Sequence, residues 1–216
     1  AQYKKDFLVA PEVILSAPEW HDLEPRRVRE DRVRIVHHGA VTKSRKLENL
    51  VDILDRLEDR FSLDLYLVGS SREIEKLKSD TASNPRIRIL PPIARDQIVN
   101  TLNEYDIGLC YFEPTTFNLK HCLPNKFFEF IQARLAVAIG PSPDMETIMR
   151  DYECGVAAAE FTAQSMADAL NRLDASSIGS AKRRSHVAAK ALTKQCEEEK
   201  LSTIIDRLLP LLADHR

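Results

Sequence analysis

The chain has 216 residues, 44% hydrophobic and 30% charged, and its 31 basic and 33 acidic residues leave a formal net charge of −2. This composition excludes a disordered, collagen-like or low-complexity chain, and the balanced charge gives no ground for a nucleic-acid or anionic-membrane partner. At about 150 residues per domain the length fits one large domain or one and a half small ones, with a core that needs no covalent staples.

No apolar run approaches the roughly 18 residues of a membrane span, and Ala1–Asp6 is not followed by the apolar stretch of a signal peptide. Cys110, Cys122, Cys154 and Cys196 are spaced by 12, 32 and 42 residues, without a CxxC pair. That pattern argues against a metal site and a disulfide framework, and reads as buried free thiols in a reducing compartment.

Residues 1–31 read as an irregular lead-in. Val13-Ile14-Leu15 is its one strand-like stretch, and Pro18, Pro25 and the charged run Arg26–Asp31 mark a solvated linker. Such a linker at the start suggests that another domain precedes it. From residue 33 the pattern is regular. Val33–His38 is a β-branched strand closed by Gly39, and Leu47, Leu50, Val51, Leu54 and Leu57 follow on one helix face. Leu63–Val68 is a strand closed by Gly69, a charged helix covers about 71–79, and Arg86–Leu90 is a short strand before Pro91-Pro92. Ile98 and Leu102 mark a helix, and Asp106–Cys110 a strand.

A polar loop runs from about 112 to 123, and Pro124 predicts a helix start, proline being favoured at the first helical position. Leu135–Ile139 is an apolar strand closed by Gly140, then come a short helix over about 144–150 and a last strand, Gly155–Ala158. Met166, Ala169, Leu170 and Leu173 predict a helix. The tail, about 181–214, reads as helical with Leu201, Ile204, Ile205, Leu208 and Leu212 in one stripe. Five or six strand–helix units of this kind predict an α/β fold, a doubly wound parallel sheet covered on both faces. Ligands of such sheets bind outside the carboxyl ends of the strands, so the residues there are the candidates.

Two strand ends stand out. After the first, Gly39 allows a close turn and Arg45 and Lys46 lie in the first turn of the next helix, where full charges and free amides make a phosphate seat; Lys43 reads as surface. Of His37 and His38, alternation lets at most one face a ligand. The richest segment is His121–Phe130. A loop enters a helix whose first turn carries Pro124, Asn125 and Lys126, so the amides of 123–126 can face an anion. Glu129, one turn further in among Phe127, Phe128, Phe130 and Ile131, has two acceptor oxygens for the hydroxyls of a ribose. There is no GxGxxG after the first strand and no GxxxxGK[ST], HExxH or GxSxG. Nicotinamide-dehydrogenase and P-loop readings therefore lose their support.

With these pieces in order, the chain resembles the C-terminal, donor-binding half of GT-B-fold glycosyltransferases, the group 1 family of retaining nucleotide-sugar transferases. The resemblance runs from about 33 to 175. It is carried by His38-Gly39 with Arg45, Leu47–Leu50, Leu65–Gly69, Ile87–Ile93, Tyr105–Leu109 and Gly155-Val156, and most specifically by Leu123-Pro124-Asn125-Lys126-Phe127-Phe128-Glu129. It implies a Rossmann-like domain over 33–180, a lead-in or interdomain linker over 1–32, and C-terminal helices over 181–216 that return toward an absent N-terminal acceptor domain.

It also implies that the base lies against backbone near Leu90 to Ile93, the ribose meets Glu129, and the diphosphate sits between Gly39, Arg45, Lys46 and the helix start at Leu123–Lys126. The sugar projects into an interdomain cleft near His121, the one candidate for a role in the chemistry. No metal or other cofactor is implied; the nucleoside-diphosphate sugar is the donor substrate, and basic side chains with helix dipoles stabilise the leaving diphosphate. Three positions depart from the family pattern. His121 replaces the first of two glutamates with seven residues between them, Ala40 replaces an arginine, and Arg134 replaces a glycine.

The expected protein is cytoplasmic, with contact at the inner face of the membrane left to the absent half, and serves bacterial polysaccharide or glycolipid assembly. The present chain alone is expected to be a fragment that binds donor and transfers nothing. Two other readings stay open: a non-catalytic module that keeps the fold as a partner or scaffold, and half of a nucleotide-sugar epimerase.

Overall fold

The computed structural model describes residues 7–9, 11–41 and 47–213, with side chains as far as 209. Six parallel strands form one sheet in the order β3-β2-β1-β4-β5-β6: β1 Val33–Ala40, β2 Phe61–Val68, β3 Ile87–Leu90, β4 Ile107–Cys110, β5 Ala136–Ile139 and β6 Gly155–Ala157. The central pairing is the longest, with β1 in register with β2 from Val33↔Phe61 to Ala40↔Val68. On its other side β1 meets β4 at Ile35↔Ile107 and Val36↔Gly108. The strand order reverses between β1 and β4, and this is the switch point outside which such sheets bind ligands.

Alternation divides the sheet's side chains between two cores. Ile35, Leu63, Leu65 and Leu109 face one side, against helices α1 (Glu48–Leu54), α2 (Ser71–Thr81), α7 (Ala163–Asn171) and the start of α8 (Ala175–Ala191). Val36, Cys110, Val137 and Ile139 face the other, against α3 (Ile98–Leu102), α5 (Asn125–Gln132), α6 (Pro143–Tyr152) and the end of α8. Burial on both faces is why β4 and β5 read as unbroken apolar runs.

Several expectations are corrected. Val13-Ile14-Leu15 forms no strand; its apolar side chains find no sheet edge, and Val13 and Ile14 remain exposed. The lead-in is not wholly a solvated linker, because Leu15, Ala17, Trp20 and Leu23 pack on the second core and Val28 is buried. The polar loop contains a one-turn helix, α4 (Phe117–Lys120), capped where Thr116 accepts the Leu119 amide. Pro124 sits one position earlier than expected, as the extended N-cap of α5 with φ −74° and ψ 148°.

The tail is two helices, α8 and α9 (Lys194–Ala213), separated at Leu192-Thr193. The boundary expected at 180/181 falls inside α8, which Lys182 and Ser185 bind to the sheet from within: Lys182 Nζ donates to Tyr105 O at 2.6 Å and Ser185 Oγ to Leu135 O at 2.5 Å. On α9, Leu201, Ile205, Leu208 and Leu209 are exposed, so this domain's own sheet does not cover that stripe. Among the described residues no helix is long and apolar enough to cross a membrane.

Candidate functional site

The site is built where α5 meets the carboxyl ends of β1 and β4. Four large apolar side chains on α5, Phe127, Phe128, Phe130 and Ile131, are fully buried and seat the helix on the sheet. Gly108 of β4 makes the close approach possible: a Cβ there would lie 2.3 Å from the Phe130 ring. The helix ends at Arg134 in the left-handed region, φ 62°. That conformation explains the glycine expected at this place. Here an arginine occupies it because its buried guanidinium donates to His21 O at 2.6 Å, to Leu23 O at 3.1 Å and to Gln132 O.

At the other end of α5, Asn125 opens the helix after the Pro124 N-cap, which has no side-chain cap, and the positive dipole end lies there. The Phe127 amide is already turned to Pro124 O at 2.9 Å. Pro124 has no N–H, so this helix start has fewer amides to offer than the four expected from 123–126.

Lys126 is buried rather than extended toward solvent, its Nζ 3.2 Å from His37 Nε2. His37 Nδ1 lies 2.8 Å from Leu109 O. A carbonyl only accepts, so Nδ1 carries the proton and Nε2 accepts from the ammonium. Glu129, one turn along the same helix, approaches the other histidine: its Oε2 is 3.1 Å from His38 Nε2. The expectation that at most one of the pair serves the site is thus modified. Their side chains leave opposite faces of β1, yet the long Lys126 stem reaches past the strand ends to one while the Glu129 carboxylate meets the other.

Beside Glu129 a groove of about 810 Å³ opens between the lead-in and the start of α3, lined by Leu15–Glu19, Arg95, Asp96, Val99, Asn125 and Glu129. Leu90 ends β3 opposite Tyr66, and Ile93 packs half-buried into the second core a short step from Arg95. The expected base-side residues and Glu129 therefore border the same side of the molecule. A larger groove, about 1010 Å³, lies beside the amino end of β1 between Pro25–Asp31 and the start of α8; it is at the wrong end of the strands for this chemistry.

His121 is set apart from Glu129 at the end of α4, where its Nδ1 lies 2.8 Å from Asp144 Oδ2 and its ring tilts against Phe117 at 4.5 Å. Leu123 and Pro124 are half-buried and Asn125 is exposed. Gly39 takes φ 130°, but it makes no turn: it stays in β1, opposite Leu67, and the strand runs on to Ala40. Arg45 and Lys46 lie outside the described residues. Reading the sequence missed Asp144, although its position just past the end of β5 marks it as a residue to inspect. It also missed the lead-in wall of the groove, for which no local signal exists. Among the described residues no group of three or more His, Cys, Asp or Glu side chains is arranged to hold a metal ion.

The sheet order, the helix start at Asn125 and the half-buried carboxylate one turn inside it are joined by a match over two thirds of the sequence: a family model of glycosyl transferases group 1 covers residues 32–175. The chain belongs to that family. Its fold is that of the family's C-terminal domains. The C-terminal domain of the group 1 family protein LpcC from Francisella tularensis superposes with a TM-score of 0.57 at 16% identity, over 74% of this chain and 85% of that one.

WaaG, a glycosyltransferase involved in lipopolysaccharide biosynthesis, superposes with a TM-score of 0.65 at 12% identity, over 91% of this chain. TarM from S. aureus, solved as a mutant in complex with UDP and other ligands, does so with a TM-score of 0.70 at 13% identity, over 95% of this chain. The chain spans 58% of the WaaG chain and 41% of the TarM chain. A sequence search among curated proteins finds no match.

Proposed function

We propose that this chain is the donor-binding half of a glycosyltransferase that takes a sugar from a nucleoside diphosphate. The observation that carries the reading is Glu129. It is a partly exposed carboxylate, the only one on its helix, at the wall of a groove outside the switch point of a parallel sheet. The ribose hydroxyls donate to its two oxygens, and the base lies along Leu90 to Ile93. The diphosphate faces Gly39 and the start of α5, with Leu123, Pro124, Asn125 and Lys126 along it. Arg45 and Lys46 are the cations that the sequence offers for the phosphates.

The buried Lys126 ammonium adds positive field behind that helix start without touching a phosphate. As the glycosidic bond breaks, charge develops on the leaving diphosphate, and amides, dipole and cations held in place beforehand stabilise it. His121, held by Asp144, stands on the side where the sugar emerges. The acceptor, and the groups that act on it, belong to a second domain, so the isolated chain binds donor and does not transfer. UDP in the TarM structure makes uracil the first base to test. The setting we propose, following WaaG, is polysaccharide or glycolipid assembly in the cytoplasm, with association at the inner face of the membrane through that second domain.

Calorimetric titration with UDP, GDP, dTDP and ADP tests this. Selective binding of one nucleotide, lost in Glu129→Ala, supports it and names the base. Binding unaffected by Glu129→Ala refutes the ribose assignment, and absence of binding by all four favours a non-catalytic module.

A further inference from the structure

His38 lies on β1 with its ring edge-on to Phe130, centroids 5.4 Å apart and planes at 89°. It is more than nine-tenths buried, and its Nε2 is a buried polar atom with no hydrogen bond. Glu129 Oε2 is nonetheless only 3.1 Å away. The distance suits an ion pair or a hydrogen bond, and the alignment does not. The imidazole is fixed by its strand and by Phe130. The carboxylate is not: its side chain is the more exposed of the two, 18% against 11%, and the last torsion of a glutamate is broad. A modest rotation of Glu129 gives Nε2–H its acceptor.

We propose that His38 is the positioning residue of the ribose-binding carboxylate, and that it thereby sets the preference of the site for ribonucleotides over 2′-deoxyribonucleotides. The inference rests on the donor-binding reading. An ionised carboxylate offers about four acceptor sites. One of them, taken by His38, leaves enough for both hydroxyls of a ribose while fixing the carboxylate plane, so that a bound diol meets two oxygens already in place. A carboxylate without this tether turns freely into the groove beside Arg95 and Asp96, where loss of one hydroxyl costs little. A buried imidazole nitrogen left without a partner is unfavourable, which drives the same rotation. His38 contributes no contact to the nucleotide itself. Its effect passes through Glu129.

The test measures dissociation constants of this chain for UDP and dUDP, GDP and dGDP, and ADP and dADP, in the unmodified protein, His38→Phe, His38→Gln, His38→Asn and Glu129→Ala. Phenylalanine keeps the ring packing and removes the nitrogen. Glutamine places an amide N–H near the Nε2 position, and asparagine retracts it. The unmodified protein should favour the ribonucleotide of its base by about tenfold or more, the worth of one hydrogen bond to a charged acceptor.

In His38→Phe and His38→Asn the ribonucleotide should weaken by about that factor while the deoxyribonucleotide is unchanged, so the ratio falls toward one. His38→Gln should retain most of it. Equal weakening of both nucleotides, or a ratio as large as before in a variant with an intact circular dichroism spectrum, overturns the proposal even where Glu129→Ala still abolishes binding. Should His38→Phe fail to fold, the contrast between glutamine and asparagine decides in the same way. Binding unaffected by Glu129→Ala, or no binding by the unmodified protein, overturns the donor reading and this inference together.

Discussion

Replacing Arg134 should detach the lead-in from the domain before the domain itself unfolds. Its guanidinium is fully buried and donates to His21 O, Leu23 O and Gln132 O, and it lies 4.6 Å from the centroid of the Trp20 ring. Burial pulls its pKa down to about 10, with Glu24 and Asp22 opposing, so the side chain is still charged at neutral pH. Arg134→Ala leaves three carbonyls without their donor, at a net cost of about 1 kcal/mol each, and removes a cation–π contact worth about 0.5–2 kcal/mol. The total is about 4 kcal/mol, a large part of a domain's stability.

Alanine also retains the strained backbone at φ 62°, which glycine does not. Arg134→Gly should therefore be the milder variant by about 1 kcal/mol. Trp20 is the sole tryptophan and sits on the segment at issue, so its fluorescence reports attachment of the lead-in while far-ultraviolet circular dichroism reports the helices. In urea the two signals should change together in the unmodified protein. In both variants the Trp20 transition should come first, with the shift larger for alanine. Coincident transitions in Arg134→Ala, or equal losses for alanine and glycine, would refute the reasoning.

Three further outcomes are expected. Gly108→Ala drives a methyl group to 2.3 Å from the Phe130 ring; overpacking of this kind costs about 1–3 kcal/mol, read as a lower urea midpoint, and should weaken nucleotide binding because α5 carries Glu129. With a thiol reagent at pH 8, Cys122 and Cys196, which are partly accessible, should react quickly, whereas Cys110 and Cys154 wait for unfolding; burial pushes the Cys154 thiol up to about 11. Asp174 caps α8 by accepting the Ser177 amide at 2.7 Å, and that bond holds its pKa below the ordinary carboxylate value. Because the folded value is the lower one, its contribution is complete above about pH 4 and is lost as the pH falls through the folded value. The acid limb of a stability–pH curve should be shallower in Asp174→Asn.

Much of the site's location was legible because it is local. The apolar runs before Gly69 and Gly140 mark strand ends, while β1 runs one residue past Gly39, and Phe127, Phe128, Phe130 and Ile131 mark the buried side of a helix that leaves Glu129 as its one carboxylate. What was illegible is pairwise and distant. His38 with Glu129 spans 91 residues of sequence, and Lys126 with His37 spans 89. No window of periodicity contains either pair. The same holds for Asp144, which meets His121 only because α6 begins beside the end of α4. Arg134 looked like a departure from pattern. The structure makes it the anchor of a lead-in more than 100 residues earlier in the chain, the Leu23 and His21 carbonyls being 111 and 113 positions away.

The sequence by itself determined the α/β class, the order of strands and helices and the helix that carries the candidate carboxylate, because hydrophobic period and strand-end glycines are written within short segments and both faces of the sheet must be covered. Only the tertiary structure decided the strand order with its switch point between β1 and β4, the inward turn of Lys126, the approach of His38 to Glu129 and the docking of the lead-in along the groove. Each of these depends on which side chains burial brings together from distant segments, and a buried polar group must find its partner wherever the fold places one.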